Sequence, residues 1–356
     1  MKKILALALM CCAGLASAQQ TMEQLIAAAQ QEGKVVIMGP PDTEVRTAIP
    51  AAFKARYGIT VEYLGGRSSE TAAKLRAERT AGVYSMDVAL SGIQTLATIF
   101  YREKMLDPIE PILMPEVRDG SKWQKGKPWF SDPEGKYVLR LFSTVGPLFH
   151  INTSKIKVSD LRSAQELINP KYKGMIATHD PTVPGTGSND AARMYVQLGE
   201  AFVKKLYQDQ QPMMSRDRRQ MTDWLARGTY PIVLGAEDED AERLRKDGMP
   251  IHAVYDLPGL SSTLSAGVGL VGLFNKAPHP NAAKLFVNWI ASKEGMEVYS
   301  RSRGEAPTRT DINALSYLPA SRVPKPNGKY FDTYDWEFTV STKETVRQHM
   351  KDTLRR

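Results

Sequence analysis

The sequence predicts an α/β fold built from two α/β units. Short runs of apolar and β-branched residues alternate with amphipathic helical segments over the first ninety residues, and a similar alternation returns after residue 145. Alternation of this kind indicates a parallel sheet with crossover helices. At 356 residues, with 42% hydrophobic and 24% charged residues, the chain is long enough and apolar enough for two such units.

The first unit opens with an amphipathic segment and continues with three strands separated by two helices. Glycines and polar turn residues bound the strands, and apolar residues at helical spacing mark the helices. In chain order, the pattern predicts an amphipathic segment at 22–31, a strand at 33–38, a helix at 43–57, a strand at 59–64, a helix at 70–80 and a strand at 86–90.

The second unit has the same kinds of element at different spacing. The sequence shows neither an internal repeat nor a low-complexity tract. In chain order, we predict an apolar run at 145–151, a strand at 174–178, helices at 190–207 and 218–226, strands at 230–235 and 265–274, a helix at 281–292 and a helical end at 342–354.

The N-terminal residues 1–18 have the three parts of a secretory signal peptide. Lys2 and Lys3 form a basic start, residues 4–10 form an apolar core, and residues 16–18 read Ala-Ser-Ala, a small-residue cleavage site. The apolar core is too short to span a bilayer. We therefore expect an exported, soluble mature chain in the periplasm.

Both cysteines, Cys11 and Cys12, fall inside the segment predicted to be removed. Neither follows the small residue that a lipid-attachment site requires, so we do not expect a lipid anchor. A mature chain without cysteine cannot use disulfides, and we expect its stability to come from burial.

The charge balance is moderately basic. The formal net charge is +8, and removal of the two leader lysines leaves 45 basic against 39 acidic residues, a net charge of +6. The basic residues are spread along the chain and form no run, which argues against nucleic acid as a partner. A modest positive field favours an anionic small ligand, or serves only solubility.

Several short motifs recur in an order and spacing typical of one protein family. They are EGKVVI at 32–37, AFKARYGITV at 52–61, AE at 77–78, MDV at 86–88, GPLFHIN at 146–152, NPKYKGMI at 169–176, SAGVG at 265–269 and APHPNAA at 277–283. Together they cover nearly the whole mature chain. In these motifs the chain resembles the periplasmic solute-binding proteins of ABC importers (extracellular solute-binding family 1), most of all the branch of ferric-ion, thiamine and phosphorylated-solute binders.

The resemblance implies the periplasmic-binding-protein fold, in which two α/β sandwich lobes are joined by two hinge crossings and close on a ligand. It implies one lobe formed by residues 19–142 with 264–305, and a second formed by 143–263 with 306–356, with crossings near 140–146 and 259–267. It also implies a monomer that captures a small-molecule solute and delivers it to permease subunits of an ABC transporter. No nucleophile elbow, kinase or zincin motif is present in the sequence, so we expect a binder and not an enzyme, without a cofactor.

Ligands of open α/β sheets bind beyond the carboxyl ends of the strands, where helices begin. In the first unit this rule selects the loops after the three strands. Each loop could equally be a plain turn with a helix cap. The candidate ligand-binding residues there are Pro41, Asp42 and Thr43, then Arg67, Ser68 and Ser69, and finally Ser91.

In the second unit the rule selects the glycine-rich stretch PGTGSND at 184–190, which precedes a long predicted helix. Its glycines allow close approach of an anion to the backbone, and Thr186, Gly187, Ser188 and Asn189 supply donors. It matches neither a Walker loop nor a dinucleotide fingerprint. The alternative is a solvated turn with an Asn or Ser cap.

Three further residues are candidates from their position near the crossings or the cleft. Thr144 and Tyr255 flank the crossings, where they could line the cleft or pack in the hinge. Glu237 opens the acidic run 237–240, which could bind a hard cation or an ammonium group, or be a solvated first turn of a helix.

The ferric-ion branch places an adjacent tyrosine pair before the second crossing, whereas the comparable stretch 235–241 here reads GAEDEDA. The five histidines have no metal-ligand spacing, and we expect a structural role for each. We therefore predict a small anionic solute (phosphorylated, phosphonate, sulfonate or carboxylate), held by residues 186–188 opposing 67–69, and no metal site. The alternative is a ferric or metal-complex binder that uses unconventional ligands.

Overall fold

The computed structural model describes residues 21–66 and 68–354, and for Ser68 and Ser69 it describes the main chain only. The predicted signal peptide, both cysteines and Arg67 lie outside this range. Within it, no helix is long and apolar enough to cross a membrane.

The described elements follow the predicted alternation. Chain segments 22–140 form helices α1 (Met22–Glu32), α2 (Thr43–Tyr57), α3 (Ser68–Thr80), α4 (Ile93–Thr95, continued by a π-helical turn, Leu96–Tyr101) and α5 (Pro115–Arg118), with strands β1 (Lys34–Gly39), β2 (Thr60–Gly65), β3 (Val88–Ser91), β4 (Leu106–Asp107) and β5 (Val138–Arg140). Segments 144–254 form strands β6 (Thr144–Gly146), β7 (Phe149–Asn152), β8 (Ile176–His179), β9 (Met213–Ser215), β10 (Ile232–Leu234) and β11 (Ile251–Val254), with helices α6 (Thr186–Leu198), α7 (Glu200–Lys204), α8 (Arg218–Arg227) and α9 (Asp238–Lys246).

The remaining segments are strands β12 (Thr263–Ser265), β13 (Leu270–Phe274) and β14 (Phe331–Asp332), with helices α10 (Pro280–Ala291), α11 (Lys293–Arg303) and α12 (Lys343–Leu354). Two predicted elements are divided. The helix predicted at 190–207 begins at Thr186 and is interrupted at Gly199, whose φ of 85° and ψ of 167° are not helical. The strand predicted at 265–274 is two strands, β12 and β13, separated by a turn at Gly267 (φ 52°).

The first lobe has a sheet in the order β2-β1-β3-β13-β4, with β5 also pairing with β13. β1 runs parallel to β2 and β3, and β13 runs antiparallel to its neighbours. Successive residues of β1 enter different cores: Val35 and Ile37 face one cluster, whereas Val36 and Met38 face the other. Helices therefore cover both faces of this sheet, as expected for a parallel α/β layer.

The second lobe has a sheet in the order β11-β7-β10-β8-β9. Strands β8, β9 and β10 are parallel, and β7 is antiparallel to β10 and β11. Ile232 and Leu234 of β10 face one core and Val233 faces the other. The structure thus has the two-lobe α/β sandwich architecture that the sequence predicts.

A small third sheet lies between the lobes in the order β14-β12-β6. β6 and β12 pair antiparallel, with Thr144 opposite Ser265, and β14 adds in parallel to β12. The chain around Thr308 returns to the first lobe, where its N–H donates to the carbonyl of Leu141. After β14, Trp336 packs on the first lobe while Val346 of α12 is buried in the second. The residue ranges assigned above to the lobes stay a prediction.

Candidate functional site

A cavity of about 710 Å³ lies between the lobes, at the carboxyl ends of the parallel strands. Its volume is in the range of small-molecule sites. The polar residues among those that line it are Gln94 from the first lobe, His150, Thr186, Ser188, Asn189, Asp190, Arg218 and Asp238 from the second, Thr263, Ser265, Thr333 and Tyr334 from the hinge region, Thr339 from the turn before α12, and Lys343, Glu344 and Arg347 from α12.

The start of α6 presents free main-chain donors to this cavity. The N–H groups of Thr186 and Ser188 make no hydrogen bond within the described part of the chain, whereas that of Gly187 donates to Nδ1 of His179 at 3.2 Å. The positive end of the helix dipole adds to these donors. This helix start is therefore suited to an anion.

Two local features hold the start of α6 in place. Oγ of Ser188 accepts from the N–H of Gly185 (3.2 Å) and donates to its carbonyl (3.0 Å), which closes the turn. A Cβ on residue 187 would lie 2.5 Å from the carbonyl oxygen of Asp180 and closer still to that of His179. Position 187 therefore requires glycine, because the chain approaches β8 too closely for any side chain.

Lys343, the first residue of α12, presents an ammonium group to the same cavity. It lies 5.1 Å from the ring centroid of Phe338, and no carboxylate of the described residues is within 4 Å of its Nζ. Burial lowers the pKa of Lys343 to about 8, with Asp332 acting in the opposite direction. The group is therefore mostly protonated at neutral pH and has no ion-pair partner in the described chain.

The two arginines that line the cavity are bound to protein groups. Arg218 pairs with Glu237 at 2.9 Å, and its guanidinium also donates to the carbonyls of Gly235 (3.1 Å) and Ala236 (2.5 Å). Arg347 pairs with Glu344, its neighbour on α12. The charge of each arginine is thus paired with a carboxylate, and their hydrogen-bonding groups are largely used.

Two aspartates lie in the second-lobe wall. Asp190 pairs with the fully buried Arg193 at 3.2 Å, and burial raises the pKa of Asp190. The side chain of Asp238 is 56% exposed, and its Oδ1 lies 3.9 Å from Nε2 of His150. Partial desolvation raises the pKa of Asp238 as well.

Family comparison identifies the class of protein. The profile of the bacterial extracellular solute-binding proteins matches residues 48–321, more than three quarters of the chain. The chain belongs to this family. Its members bind small solutes and work with the permeases of ABC importers, which implies a periplasmic location for this solute-binding protein.

Solved structures show the same fold at low sequence identity. IdiA (FutA) from Trichodesmium, in complex with iron and citrate, superimposes with a TM-score of 0.70 and 16% identity, over 90% of this chain and 99% of that one. AfuA from Actinobacillus pleuropneumoniae, with fructose-6-phosphate bound, gives 0.58 and 21%, over 91% and 99%. An uncharacterized protein of Haemophilus influenzae is 23% identical over 336 residues, 89% of this chain and 88% of that protein.

In this solute-binding protein, the residues predicted from the glycine-rich loop lie together at the cavity. Thr186, Ser188 and Asn189 line it, and buried Gly187 supports them from behind through His179. Thr186 and Ser188 offer main-chain groups, since the hydroxyl of Ser188 is used within the turn.

The other predicted residues have different surroundings. Asp42 pairs with Arg303, and neither it nor its neighbours Pro41 and Thr43 are among the described residues that line the cavity. Buried Ser91 precedes the lining residues 92–94. Arg67 and the side chains of Ser68 and Ser69 lie outside the described structure.

The three candidates near the crossings do not line the cavity among the described residues either. Thr144 donates to Glu305 and accepts from the N–H of Ala306, so it packs in the hinge. The half-buried Tyr255 has a pKa raised by burial. Glu237 pairs with Arg218, and the cavity is lined by the next residue, Asp238.

The sequence reasoning did not select Lys343 or Gln94, and it considered Asp238 only within an acidic run. Lys343 reaches the cavity because β14 joins the hinge sheet and the chain then passes between the lobes. Gln94 belongs to the loop 91–94 that the strand-end rule selects, although the residue chosen from that loop was Ser91. Among the described residues, no three His, Cys, Asp or Glu side chains stand close enough together to hold a metal ion.

Proposed function

We propose that this solute-binding protein captures a small organic anion in the interlobe cleft by hinge closure and delivers it to the permease of an ABC importer. The observation that carries the proposal is the ammonium group of Lys343, which faces the cleft without an acidic partner in the described chain. A charge that the protein does not compensate is available to a ligand of opposite sign.

Other features of the cleft support an anion. The free N–H groups of Thr186 and Ser188 line the same cavity, at the positive end of the α6 dipole. The ligand named for AfuA is fructose-6-phosphate, and those named for IdiA are iron and citrate, so an organic anion is present in both structures. A cavity of about 710 Å³ has room for an anion of that size.

A thermal-shift series on residues 19–356 tests the proposal. The ligands are fructose 6-phosphate, citrate, alkylphosphonates, alkylsulfonates, thiamine, polyamines, and ferric ion with and without citrate. An anion at a hundred times its dissociation constant stabilises the native state by about 2.7 kcal/mol, which is readily detected. We expect stabilisation by an organic anion that is strongly reduced in K343M and kept in K351M, a matched lysine of α12 that does not line the cavity.

A ferric or metal-complex binder is the second candidate, favoured by the fold similarity to IdiA. The measurements with ferric ion, with and without citrate, distinguish the metal binder from the anion binder. Stabilisation by ferric ion alone, with no response to any metal-free anion, would contradict the anion proposal and support the metal one. Equal stabilisation of K343M and the unmodified protein by an anion would show that Lys343 does not hold the ligand.

A further inference from the structure

Asp238 and His150 face each other in the second-lobe wall of the cleft. Oδ1 of Asp238 lies 3.9 Å from Nε2 of His150, and both residues line the cavity. No lysine or arginine of the described residues lies within 4 Å of the Asp238 carboxylate, although Arg218 and Arg322 act on it at longer range. The carboxylate of Asp238 therefore makes no ion pair with a lysine or arginine of the described residues.

His150 does not supply the missing charge. Its side chain is only 5% exposed, and burial, together with Arg218 and His252, lowers its pKa to about 4. The imidazole is therefore neutral at physiological pH, and it makes no hydrogen bond to any described residue. Its ring nitrogens are not among the fully enclosed polar atoms of the described residues, so a ligand in the cavity can reach them.

The position of Asp238 in the first turn of α9 accounts for part of this arrangement. The start of a helix favours an acidic side chain, and Glu239 and Asp240 share that turn. The helix does not account for the unbonded His150, which belongs to β7 and faces the same carboxylate. Two residues from separate elements thus place a carboxylate and a neutral imidazole on one cavity wall, and Nε2 of the imidazole accepts a hydrogen bond when the ring proton is on Nδ1.

We propose that the captured anion also carries a primary ammonium group, which Asp238 and His150 receive in the same cavity that Lys343 and the start of α6 line. This inference rests on the proposed function and narrows the ligand to a zwitterion. An ammonium group has one positive charge and three donors, which fits a single carboxylate beside a neutral imidazole. A hydroxyl group can donate one hydrogen bond but carries no charge to pair with the carboxylate of Asp238.

Matched ligands test the proposal by calorimetry on the mature chain. The probes are aminoalkylphosphonates with two, three and four carbons, each compared with the alkylphosphonate and the hydroxyalkylphosphonate of the same length. We expect the amine to bind about tenfold or more tightly than both partners at the best length, as a charge-assisted hydrogen bond would give. In D238N this preference should disappear, because asparagine keeps the shape and removes the charge.

The control is D240N, since Asp240 pairs with Arg243 at 3.0 Å and is not among the lining residues. It should keep the preference for the amine. Equal binding of amine and alkyl probes at every length, or a preference that survives in D238N, would overturn the zwitterion proposal. If those probes bind equally and K343M weakens both, the anion site stands without the ammonium site. If no probe binds and the wider anion series gives no stabilisation, the anion site itself fails.

Discussion

Raising the pH from 7 to 9 is expected to weaken anion binding about tenfold by removing the charge of Lys343. Burial sets the pKa of this lysine to about 8 in the free protein. The protonated fraction therefore falls from about 90% to about 10% over this range, and the apparent dissociation constant rises in inverse proportion if only the charged form binds. A bound anion favours the protonated amine, so binding above pH 8 is coupled to proton uptake.

The histidines and the tyrosine on this wall do not change charge between pH 7 and 9. Burial lowers the pKa of His150 to about 4 and also lowers that of His179, so both are neutral throughout. Burial raises the pKa of Tyr334 to about 12, so it stays protonated. The part of the pH dependence that K343M removes can therefore be assigned to Lys343.

Calorimetric titration with an alkylsulfonate is the suitable assay, because a sulfonate keeps its charge across the range. The unmodified protein should lose about one decade of affinity between pH 7 and 9. K343M should bind more weakly at pH 7 and show a flat profile. An affinity independent of pH in the unmodified protein, or an equal slope in K343M, would refute the assignment of the charge to Lys343.

Two further variants test how the frame of the site is held, both by urea denaturation. Gly187→Ala places a Cβ about 1 Å inside normal contact distance of two carbonyls and disturbs the bond to His179, so we expect a loss of about 2–4 kcal/mol in the free energy of unfolding. We expect little change for Gly66→Ala, where among the described atoms the Cβ meets Thr71 Oγ1 at an ordinary 3.5 Å. Unchanged stability of the first variant would contradict the close packing. Arg140→Met removes a fully buried guanidinium whose Nη1 lies 2.8 Å from both carboxylate oxygens of Asp332, so we expect a loss of about 3 kcal/mol, against less than about 1 kcal/mol for an exposed arginine such as Arg56. Equal losses for the two arginine variants would show that the buried pair of Arg140 and Asp332 adds no more stability than an exposed arginine does.

Much of the fold follows from local sequence signals. The spacing of apolar residues predicts β1 to β3 and the helices between them, because that spacing is visible within each short stretch of sequence. The reverse direction of β13 was not predicted, since it depends on how a strand about 180 residues away enters the first sheet. The break at Gly199 was missed because the flanking residues keep a helical pattern on both sides.

The residues of the candidate site could likewise be predicted only in part from the sequence. The strand-end rule finds the start of α6, because a loop and the helix it precedes are adjacent in sequence. It cannot find Lys343, which reaches the cleft through the pairing of β14 with β12, or the meeting of His150 with Asp238 across 88 residues. Asp42 looked free in the sequence because its partner, Arg303, comes from a helix 261 residues later.

The most direct test is a crystal structure of the mature protein with the anion that gives the largest thermal shift. The prediction is an anionic group bound between the lobes, within hydrogen-bond distance of Nζ of Lys343 and of the N–H groups of Thr186 and Ser188. An anion bound elsewhere, or one in the cleft that touches neither Lys343 nor the start of α6, would contradict it.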